Sequence, residues 1–300
     1  MAGAVQSVVI LSKALPMNGG HGLYSYANNS TYQNKGIVAV KDLITEAIAE
    51  KLDTSFLSSS NTICITEMGC SVGPNTFVAV QNIVEAVLNK YQNLAAGVLH
   101  VPQRSRLNDF NIALHIPSSD RNYYVAGVPG SFHGRLFPAD SLHIVHTSYA
   151  LQWLSQVPEE VEDVSSPAWN KGMGLLFQCW DQTVKAYEDQ FAKDLDCFLH
   201  ARAQEVVCGG LIMILVPGRL DTTPHDREME ATVERNGYFS LERIECLPLE
   251  KSQDTIQQKA RAISYHIRAG LEFLLKGHFG NEIIMDELFD SFNKNLEKSQ

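Results

Sequence analysis

The sequence is poor in the features that mark several large classes of protein. Its 24 lysine and arginine residues are outnumbered by 34 aspartate and glutamate residues and are scattered along a chain of net charge −10. This distribution excludes the basic footprint of a nucleic-acid-binding protein. No apolar run is long enough to span a membrane, and the N-terminus lacks the charged-then-apolar order of a signal peptide. We therefore expect a cytoplasmic protein with neither nucleic-acid nor membrane partners.

Patterns for metal binding and nucleophilic catalysis are also weak. The six cysteines have no metal-binding spacing, and we interpret them as reduced thiols of a cytosolic protein. His143 and His146 could suggest a metal site, but a structural role is favoured for histidines on an apolar strand. Ser131, His133 and Asp140 could be assembled into a hydrolase triad, but Ser131 does not lie in a G-x-S-x-G elbow, which disfavours a hydrolase.

The order of the predicted elements indicates an α/β protein. Strands are predicted at residues 62–67, 95–101, 123–128, 142–147, 211–216 and 238–247, and helices at 36–52, 77–88, 149–154, 185–207 and 254–275. Gly209 and Gly210 are expected to cap the helix that ends at residue 207. Alternating strands and helices are typical of a mostly parallel sheet with helices on both faces. The chain of 300 residues can bury one large core, with or without an insertion.

Residues 62–75 give the clearest local evidence for a ligand-binding site. Apolar and β-branched residues end in Glu67, a turn with Gly69 and Gly73 follows, and Asn75 stands where the next helix begins. A strand, a glycine-containing turn and a helix form the entry of a nucleotide-type α/β site, where glycines let a ligand approach the backbone. The turn has no lysine to hold phosphates, so it suits a ligand with hydroxyls and a cationic centre. From this segment alone, a turn without any ligand is equally open.

Residues 17–33 are polar, aromatic and rich in glycine at once. They predict no good helix until about Lys35, yet their composition is too ordered for a linker. We interpret the segment as a lid or binding loop near the N-terminus.

Five motifs appear in the order found in one family of plant enzymes. They are MNGG, SYA, NS and Gln33 within residues 17–33, GCS and GPNT within 69–76, NDFN at 108–111, PGSF and RLFP within 129–138, and SLH followed by SYALQWLSQVP within 141–158. In this order they resemble the SABATH family of S-adenosylmethionine (SAM)-dependent carboxyl and N-methyltransferases. The motifs span nearly the whole chain, but they are shared across the family and do not select a substrate.

The resemblance implies an α/β, Rossmann-like fold, a single methyltransferase domain over residues 1–300, and a homodimer. It also implies methyl transfer from SAM to the carboxylate of a small plant acid. Such an acid is ionised near neutral pH and the methyl donor is already activated, so the site must align the two reactants rather than supply a strong base. No catalytic residue in the sense of a general base is expected.

The family's binding positions transfer to this sequence residue by residue. The donor positions correspond to Tyr26, Ser30, Glu67, Gly69, Cys70, Asn75, Ser131 and Phe132. The substrate positions correspond to Tyr26, Gln33, Tyr149, Gln152 and Trp153. In the family, the positions of Gln33 and Trp153 hold the carboxylate through an amide N–H and an indole N–H. Composition alone, without the resemblance, favours a core tryptophan at Trp153.

The sequence departs from the family pattern in three places. Arg104 stands where the family has an acid that holds the donor ribose, and a cation cannot accept hydrogen bonds from hydroxyls. Helices that roof the substrate pocket are missing around residues 222–225, which leaves a reduced cap within residues 165–183 and 218–232. A magnesium-binding stretch is lost with that roof, so Asn170 is the surviving ligand position of an incomplete Mg²⁺ site. The alternative function is therefore a truncated, weakly active or inactive family member that keeps the fold and dimerises.

Overall fold

The structure is a computed structural model that describes residues 16–53, 62–90, 97–104, 123–169, 181–218, 224–247, 254–280 and 284–299. Its helices are α1 (Tyr26–Asn29), α2 (Thr31–Ala39), α3 (Lys41–Lys51), α4 (Asn75–Lys90), α5 (Glu159–Glu162), α6 (Asp181–Glu205), α7 (Pro224–Asn236), α8 (Ile256–Phe279) and α9 (Met285–Ser299). Its strands are β1 (Thr62–Cys70), β2 (Gly97–Arg104), β3 (Tyr123–Val125), β4 (Val128–Pro129), β5 (Leu142–Ser148) and β6 (Val206–Leu215). The NDFN motif, Asn170 and Cys179 lie outside the described residues.

The six strands form one sheet in the order β3-β2-β1-β5-β6, and β4 pairs with β2. Every pairing is parallel. The chain passes from β1 to β2 on one side and later returns to place β5 on the other side of β1. The topological switch point therefore lies between the carboxyl ends of β1 and β5, where open α/β sheets bind their ligands. The predicted Rossmann-like, mostly parallel sheet is confirmed.

Two apolar clusters cover the two faces of the sheet. Ile65 of β1 and Ile144 of β5 pack with Ile83 of α4 in one cluster. Val145, the next residue of β5, packs instead with Phe198 of α6 in the other cluster. Neighbouring strand residues point to opposite faces, so this alternation requires helices on both sides. Each fully buried side chain of this size contributes about 1.5–3 kcal/mol to stability.

The segment interpreted as a lid or binding loop is helical from Tyr26 onward, so the prediction of no good helix before about Lys35 was wrong. Helices α1 and α2 begin well before that residue. The Asn28 and Asn29 side-chain amides donate to carbonyls at residues 21–25, and the Tyr26 N–H donates to the Asn18 carbonyl at 2.8 Å. These hydrogen bonds stabilise helices that the weak helix propensity of the residues does not predict. The helix predicted at residues 36–52 is also divided, because Val40 ends α2 and precedes α3.

Gly209 and Gly210 do not cap a helix, as was predicted, but lie inside β6. Gly209 has a φ of 77°, and a Cβ there would lie 2.6 Å from the Cβ of Asp53. The Asp53 N–H donates to the Gly209 carbonyl at 3.2 Å. Glycine is therefore required because another backbone approaches closely.

The strand predicted at residues 238–247 is wrong, since this segment is irregular. Its apolar residues Leu241 and Ile244 are exposed. The side chain of Arg243 pairs with Glu46 and Glu245. Although apolar and charged residues alternate here, the segment does not join the sheet, and its charged side chains form surface ion pairs.

Two further differences follow from tertiary structure. Residues 149–154, predicted as helical, form a turn in which Tyr149 has a φ of 52° and donates its N–H to the Leu215 carbonyl at 2.8 Å. The segment after β6, predicted to be part of a reduced cap, contains helix α7, which begins at Pro224. The described cysteines are free thiols. None of the described helices combines the length and apolar character required to cross a membrane.

Candidate active site

Glu67 and β5 meet at the switch point. The Glu67 carboxylate is buried, accepts a hydrogen bond from the Ser148 hydroxyl at 2.8 Å, and contacts Nδ1 of His146. Both carboxylate oxygens are thus engaged by β5. Glu67, predicted to bind the donor, joins the two strands whose carboxyl ends define the site. His146 has a structural partner here, and none of the described residues form a metal-binding group of three or more histidine, cysteine or acidic side chains.

The carboxyl end of β1 passes close to two other segments. Gly69 has a φ of 70°, and a Cβ at this position would lie 2.3 Å from Ala150 Cβ and 3.2 Å from the Phe132 ring. Cys70, the next residue, is buried. The structure therefore brings the predicted donor residues Gly69, Cys70 and Phe132 to one place beside the turn that follows β5.

Gly69→Ala is expected to lower the free energy of unfolding by about 1–3 kcal/mol, the usual cost of a non-glycine residue in a sparsely populated backbone region. The same substitution should weaken binding of S-adenosylhomocysteine (SAH), because its methyl group displaces Phe132. Urea unfolding and calorimetry measure the two effects. Gly277→Ala on α8 is the control, since no atom lies within 4 Å of a Cβ there. Equal behaviour of the two variants would contradict the expectation.

The glycine turn also resembles a nucleophile elbow in sequence. Residues 69–73 read Gly-Cys-Ser-Val-Gly, so this turn, unlike Ser131, has the spacing of a G-x-S-x-G elbow. The Ser71 hydroxyl is buried and has no hydrogen-bond partner among the described residues. A serine nucleophile needs a hydrogen-bonded base, and His146, one of the two histidines of β5, is engaged with Glu67. The described geometry therefore does not support a hydrolase.

Asn75 connects the start of α4 to the N-terminal helices. Its amide donates to the Ser30 carbonyl at 3.1 Å and the Ser30 hydroxyl at 3.0 Å. The Asn34 amide donates in turn to Asn75 Oδ1 at 3.1 Å. Ser30 and Asn75, both predicted donor residues, are thus in direct contact. This bond places α1 and α2 against the glycine turn.

Tyrosines surround the junction of α1, α2 and the turn after β5. The rings of Tyr32 and Tyr149 meet edge to face with centroids 5.6 Å apart. A Cβ on Gly36 would lie 2.0 Å from the Tyr149 hydroxyl. Burial, followed by the proximity of Tyr32, raises the pKa of Tyr149 to about 12. Burial, followed by the proximity of Tyr149, raises the pKa of Tyr26 well above its ordinary value. Both hydroxyls are therefore neutral donors at neutral pH.

Tyr149→Phe is expected to make the protein less sensitive to alkali. Because the pKa of Tyr149 is raised in the folded state from 10.0 to about 12, its contribution to stability is complete below pH 10 and is lost as pH rises through 12. The variant should lose less unfolding free energy than wild type between these pH values. Denaturant unfolding at several pH values measures this. Tyr238→Phe, at a tyrosine that is 69% exposed, should follow wild type.

The two predicted carboxylate-binding residues differ in environment. Gln33 is buried, and its Nε2 lies 3.2 Å from Nε2 of His266, while its Oε1 has no partner among the described residues. Trp153 is 42% exposed, so the core tryptophan that composition favoured is wrong. The Gln152 amide donates to the Tyr149 carbonyl at 2.8 Å. Among the described residues, Gln33 and Trp153 do not contact each other.

The segment that carries Ser131 and Phe132 is held by a buried ion pair that sequence inspection missed. Arg202 of α6 is fully buried and donates to the carbonyls of Phe132 and Gly134, each at 2.8 Å. Its Nε donates to Glu205 at 2.8 Å. Glu205 accepts from the N–H groups of residues 136 and 137. The one sequence signal was the spacing of three residues between the opposite charges of Arg202 and Glu205 within a predicted helix.

Asp194 of α6 holds the turn that carries Trp153 by hydrogen bonds in a similar way. Its carboxylate accepts from the Ser155 N–H at 2.7 Å and from the Ser155 hydroxyl at 2.6 Å. The Gln190 amide donates to the same carboxylate at 2.9 Å. Helix α6 thus fixes the backbone two residues after Trp153. No local sequence pattern indicates this contact.

The remaining predicted residues lie at the margin of the described structure. Arg104 ends β2, where its backbone pairs in register with Cys70 of β1 and Pro129 of β4. Ser131 is exposed. Asn170 lies outside the described residues. Buried polar atoms near the glycine turn include the hydroxyls of Ser25 and Ser71, which have no partner among the described residues. Such atoms are normally hydrogen-bonded, so they fit a polar ligand.

Comparison with known proteins gives the same fold. A family model described as SAM-dependent carboxyl methyltransferase matches residues 12–226 and 222–300. The loganic acid O-methyltransferase of Catharanthus roseus is 37% identical over 334 aligned positions, with 96% of this chain and 89% of the relative covered. A farnesoic acid carboxyl-O-methyltransferase of Arabidopsis thaliana is 43% identical, with 68% of this chain and 59% of the relative covered. A solved structure of loganic acid methyltransferase with SAH has a TM-score of 0.85 at 35% identity, covering 94% of this chain and 92% of that one.

Proposed function

Because the chain belongs to the family of SAM-dependent carboxyl methyltransferases, we propose that it methylates the carboxylate of a small plant acid and releases a methyl ester. The observation that carries the site assignment is the meeting of Gly69, Phe132 and Ala150 at the switch point of a parallel sheet. This is where such folds bind nucleotide-type ligands. The alternative of an inactive, truncated member is not favoured by relatives that align along 89% or more of their own length.

The donor pocket is proposed to consist of the residues around the glycine turn, namely Tyr26, Ser30, Glu67, Gly69, Cys70, Asn75, Ser131 and Phe132. Bound SAM supplies a methyl group activated by its cationic sulfonium. Glycine at position 69 lets the side chains of Ala150 and Phe132 lie close to the backbone there. Ser30 and Asn75 hold α1 against α4. The Arg202 bonds to the carbonyls of residues 132 and 134 fix Phe132 in place.

The substrate carboxylate is proposed to be held by Gln33 and Trp153, with Tyr26, Tyr149 and Gln152 lining the pocket. The Tyr149 hydroxyl is neutral at neutral pH, and burial raises its pKa further, so no phenolate repels the anionic substrate. Each hydrogen bond from a neutral donor to a carboxylate contributes about 1.5–3 kcal/mol. With the carboxylate ionised, these residues orient the accepting oxygen and exclude water, and none needs to remove a proton.

Arg104→Asp is expected to tighten SAH binding by about 1–3 kcal/mol, the size of a restored charged hydrogen bond. The residue ends β2 beside Cys70 of the glycine turn. An aspartate there would accept from the ribose hydroxyls and would remove a cation from the neighbourhood of a cationic donor. Calorimetry with SAH measures the change. Arg104→Gln, which removes the charge without adding a carboxylate, should tighten binding less. No change in the aspartate variant would refute the assignment of this position.

Magnesium takes no part in this proposal. The stretch that would supply its second ligand is absent from the sequence, Asn170 lies outside the described residues, and the described residues contain no cluster of three metal-binding side chains. The incomplete Mg²⁺ site predicted at Asn170 therefore stays a prediction. We further propose a homodimer in the cytoplasm with a reduced cap within residues 165–183 and 218–232. The two matches to the family model meet at residues 222–226, which supports the position of the missing roof.

The proposal is tested by calorimetry with SAH on the full chain. We expect saturable binding at one site per chain, since the donor pocket is complete apart from Arg104. Gly69→Ala and Arg202→Met should weaken this binding, and Trp153→Phe should leave it nearly unchanged. Absence of SAH binding in wild type and in Arg104→Asp would overturn the proposed function.

A further inference from the structure

His266 contacts the proposed carboxylate-binding residue from a distant part of the chain. It lies on α8, its Nδ1 is 2.9 Å from the Asn29 carbonyl, and its Nε2 is 3.2 Å from Nε2 of Gln33. A carbonyl oxygen can only accept, so Nδ1 must carry a hydrogen. In a neutral imidazole the other nitrogen is then a bare acceptor. Nε2 of His266 therefore accepts a hydrogen bond from the Gln33 amide.

This arrangement fixes which way the Gln33 amide points. With neutral His266, the reverse orientation would place Oε1 of Gln33 against the lone pair of Nε2. Two acceptors repel each other, so the amide nitrogen must face the ring. Oε1 then points away from His266, and it is buried without a partner among the described residues. A buried acceptor without a hydrogen bond is unfavourable.

Protonation of His266 would reverse this orientation. Both ring nitrogens are donors in the imidazolium form. Nδ1 keeps its bond to the Asn29 carbonyl, and Nε2 needs an acceptor, which Oε1 of Gln33 provides after rotation of the amide. Both amide hydrogens of Gln33 then point to the side where Oε1 was left unpartnered. A carboxylate on that side would accept them, and every polar atom of the set would have a partner.

We propose that His266 is a positioning residue for Gln33, and that binding of the substrate carboxylate is coupled to uptake of a proton by His266. This proposal rests on the proposed role of Gln33 in carboxylate binding. His266 touches neither donor nor reacting atoms in this scheme and acts only through the amide. The reaction itself needs no proton from it.

The groups that contact His266 and the charged residues of the same stretch of α8 are compatible with this coupling. From α1 the ring of Tyr26 faces it at 6.4 Å between centroids, and burial raises the pKa of Tyr26 so that this phenol is uncharged. On α8 itself Arg268 is paired with Glu272, and from α9 Asp286 pairs with the same arginine. The Gln33 amide of α2 is uncharged. The hydrogen bond from Nδ1 of His266 to the Asn29 carbonyl is present in both the neutral and the protonated ring.

The first test is nuclear magnetic resonance on the full chain without substrate. At pH 8 the His266 ring should be the Nδ1–H tautomer, and the Gln33 amide hydrogens should shift when the pH is lowered enough to protonate the ring. His266→Gln should abolish the shift of the Gln33 amide. His278→Gln, at an exposed histidine on the same helix, should leave it intact. An Nε2–H tautomer at pH 8, or a Gln33 amide that ignores pH, would overturn the proposal.

The second test uses loganic acid and farnesoic acid as carboxylate probes with SAM. Between pH 5.5 and 8, KM for the acid should rise about tenfold in wild type, the effect of losing one charged hydrogen bond, while kcat changes little. His266→Gln should remove this rise, and His278→Gln should preserve it. A wild-type rise that persists in His266→Gln would overturn the inference. Absence of turnover, with the amide shift still present, would count against the proposed function and not against the contact between His266 and Gln33.

Discussion

Replacing Arg202 by methionine is expected to lower the free energy of unfolding by about 3–5 kcal/mol, because it leaves the charge of Glu205 buried without its partner. The side chains of both residues are completely buried. Burial lowers the pKa of Arg202, whereas Glu205 favours its charged form, so the ion pair depends on both members being present. Methionine fills much of the volume but donates no hydrogen bond to the carbonyls of residues 132 and 134.

Urea unfolding followed by circular dichroism measures this loss. Lys185→Met is the matched control, since Lys185 pairs with Asp189 on the same helix with both side chains exposed. An exposed pair of this kind contributes about 0.3–0.5 kcal/mol. SAH affinity should also fall in Arg202→Met, because Phe132 loses its anchor. A variant that unfolds like Lys185→Met would show that the buried pair does not stabilise this segment.

Removing the two proposed carboxylate-binding donors, Gln33 and Trp153, is expected to produce the largest loss of activity. Trp153→Phe should lower transfer to any accepted acid by about tenfold or more, since one hydrogen bond to a charged group contributes about 1.5–3 kcal/mol. Gln33→Leu should act similarly, and the double variant should lose about a hundredfold or more. SAH affinity should remain nearly unchanged in all three.

Steady-state kinetics and SAH calorimetry separate this role from a structural one. Trp153 is 42% exposed, so Trp153→Phe should unfold at nearly the wild-type urea concentration. Gln81→Leu is the control for the amide, because Gln81 is an exposed residue of α4 that bonds Glu85 at 3.0 Å. Loss of SAH binding equal to the loss of activity would show that these side chains support the fold and not the substrate.

Local sequence patterns were sufficient for the part of the site that one segment builds. The strand, glycine turn and helix of residues 62–90 follow from β-branched residues, Gly69 and an apolar helical period. The family motifs led to Tyr26, Ser30 and Asn75, which the structure brings together through α1 and α4. The sequence did not predict which strands are neighbours or their register. These depend on pairs far apart in the chain, such as Glu67 of β1 and His146 of β5, which are separated by 79 positions.

Contacts between distant segments account for what the sequence did not show. Gln33 and His266 are separated by 233 positions and Arg202 and Phe132 by 70. Neither pair has a local signature, since a histidine or arginine on a helix is more often solvated. The helical start at Tyr26 was missed for a different reason, because local side-chain bonds from Asn28 and Asn29 stabilise a segment of weak helix propensity.

The central claim is transfer of a methyl group to a carboxylate, and the most direct measurement identifies the product. The full chain is incubated with methyl-labelled SAM and a panel of plant acids that includes loganic and farnesoic acids, with a xanthine as the nitrogen acceptor. We predict label in a methyl ester that mild alkali releases as methanol, and loss of this label in the double variant of Gln33 and Trp153. Label in an alkali-stable N-methyl product, or no transfer to any acid by a chain that binds SAH, would contradict the claim.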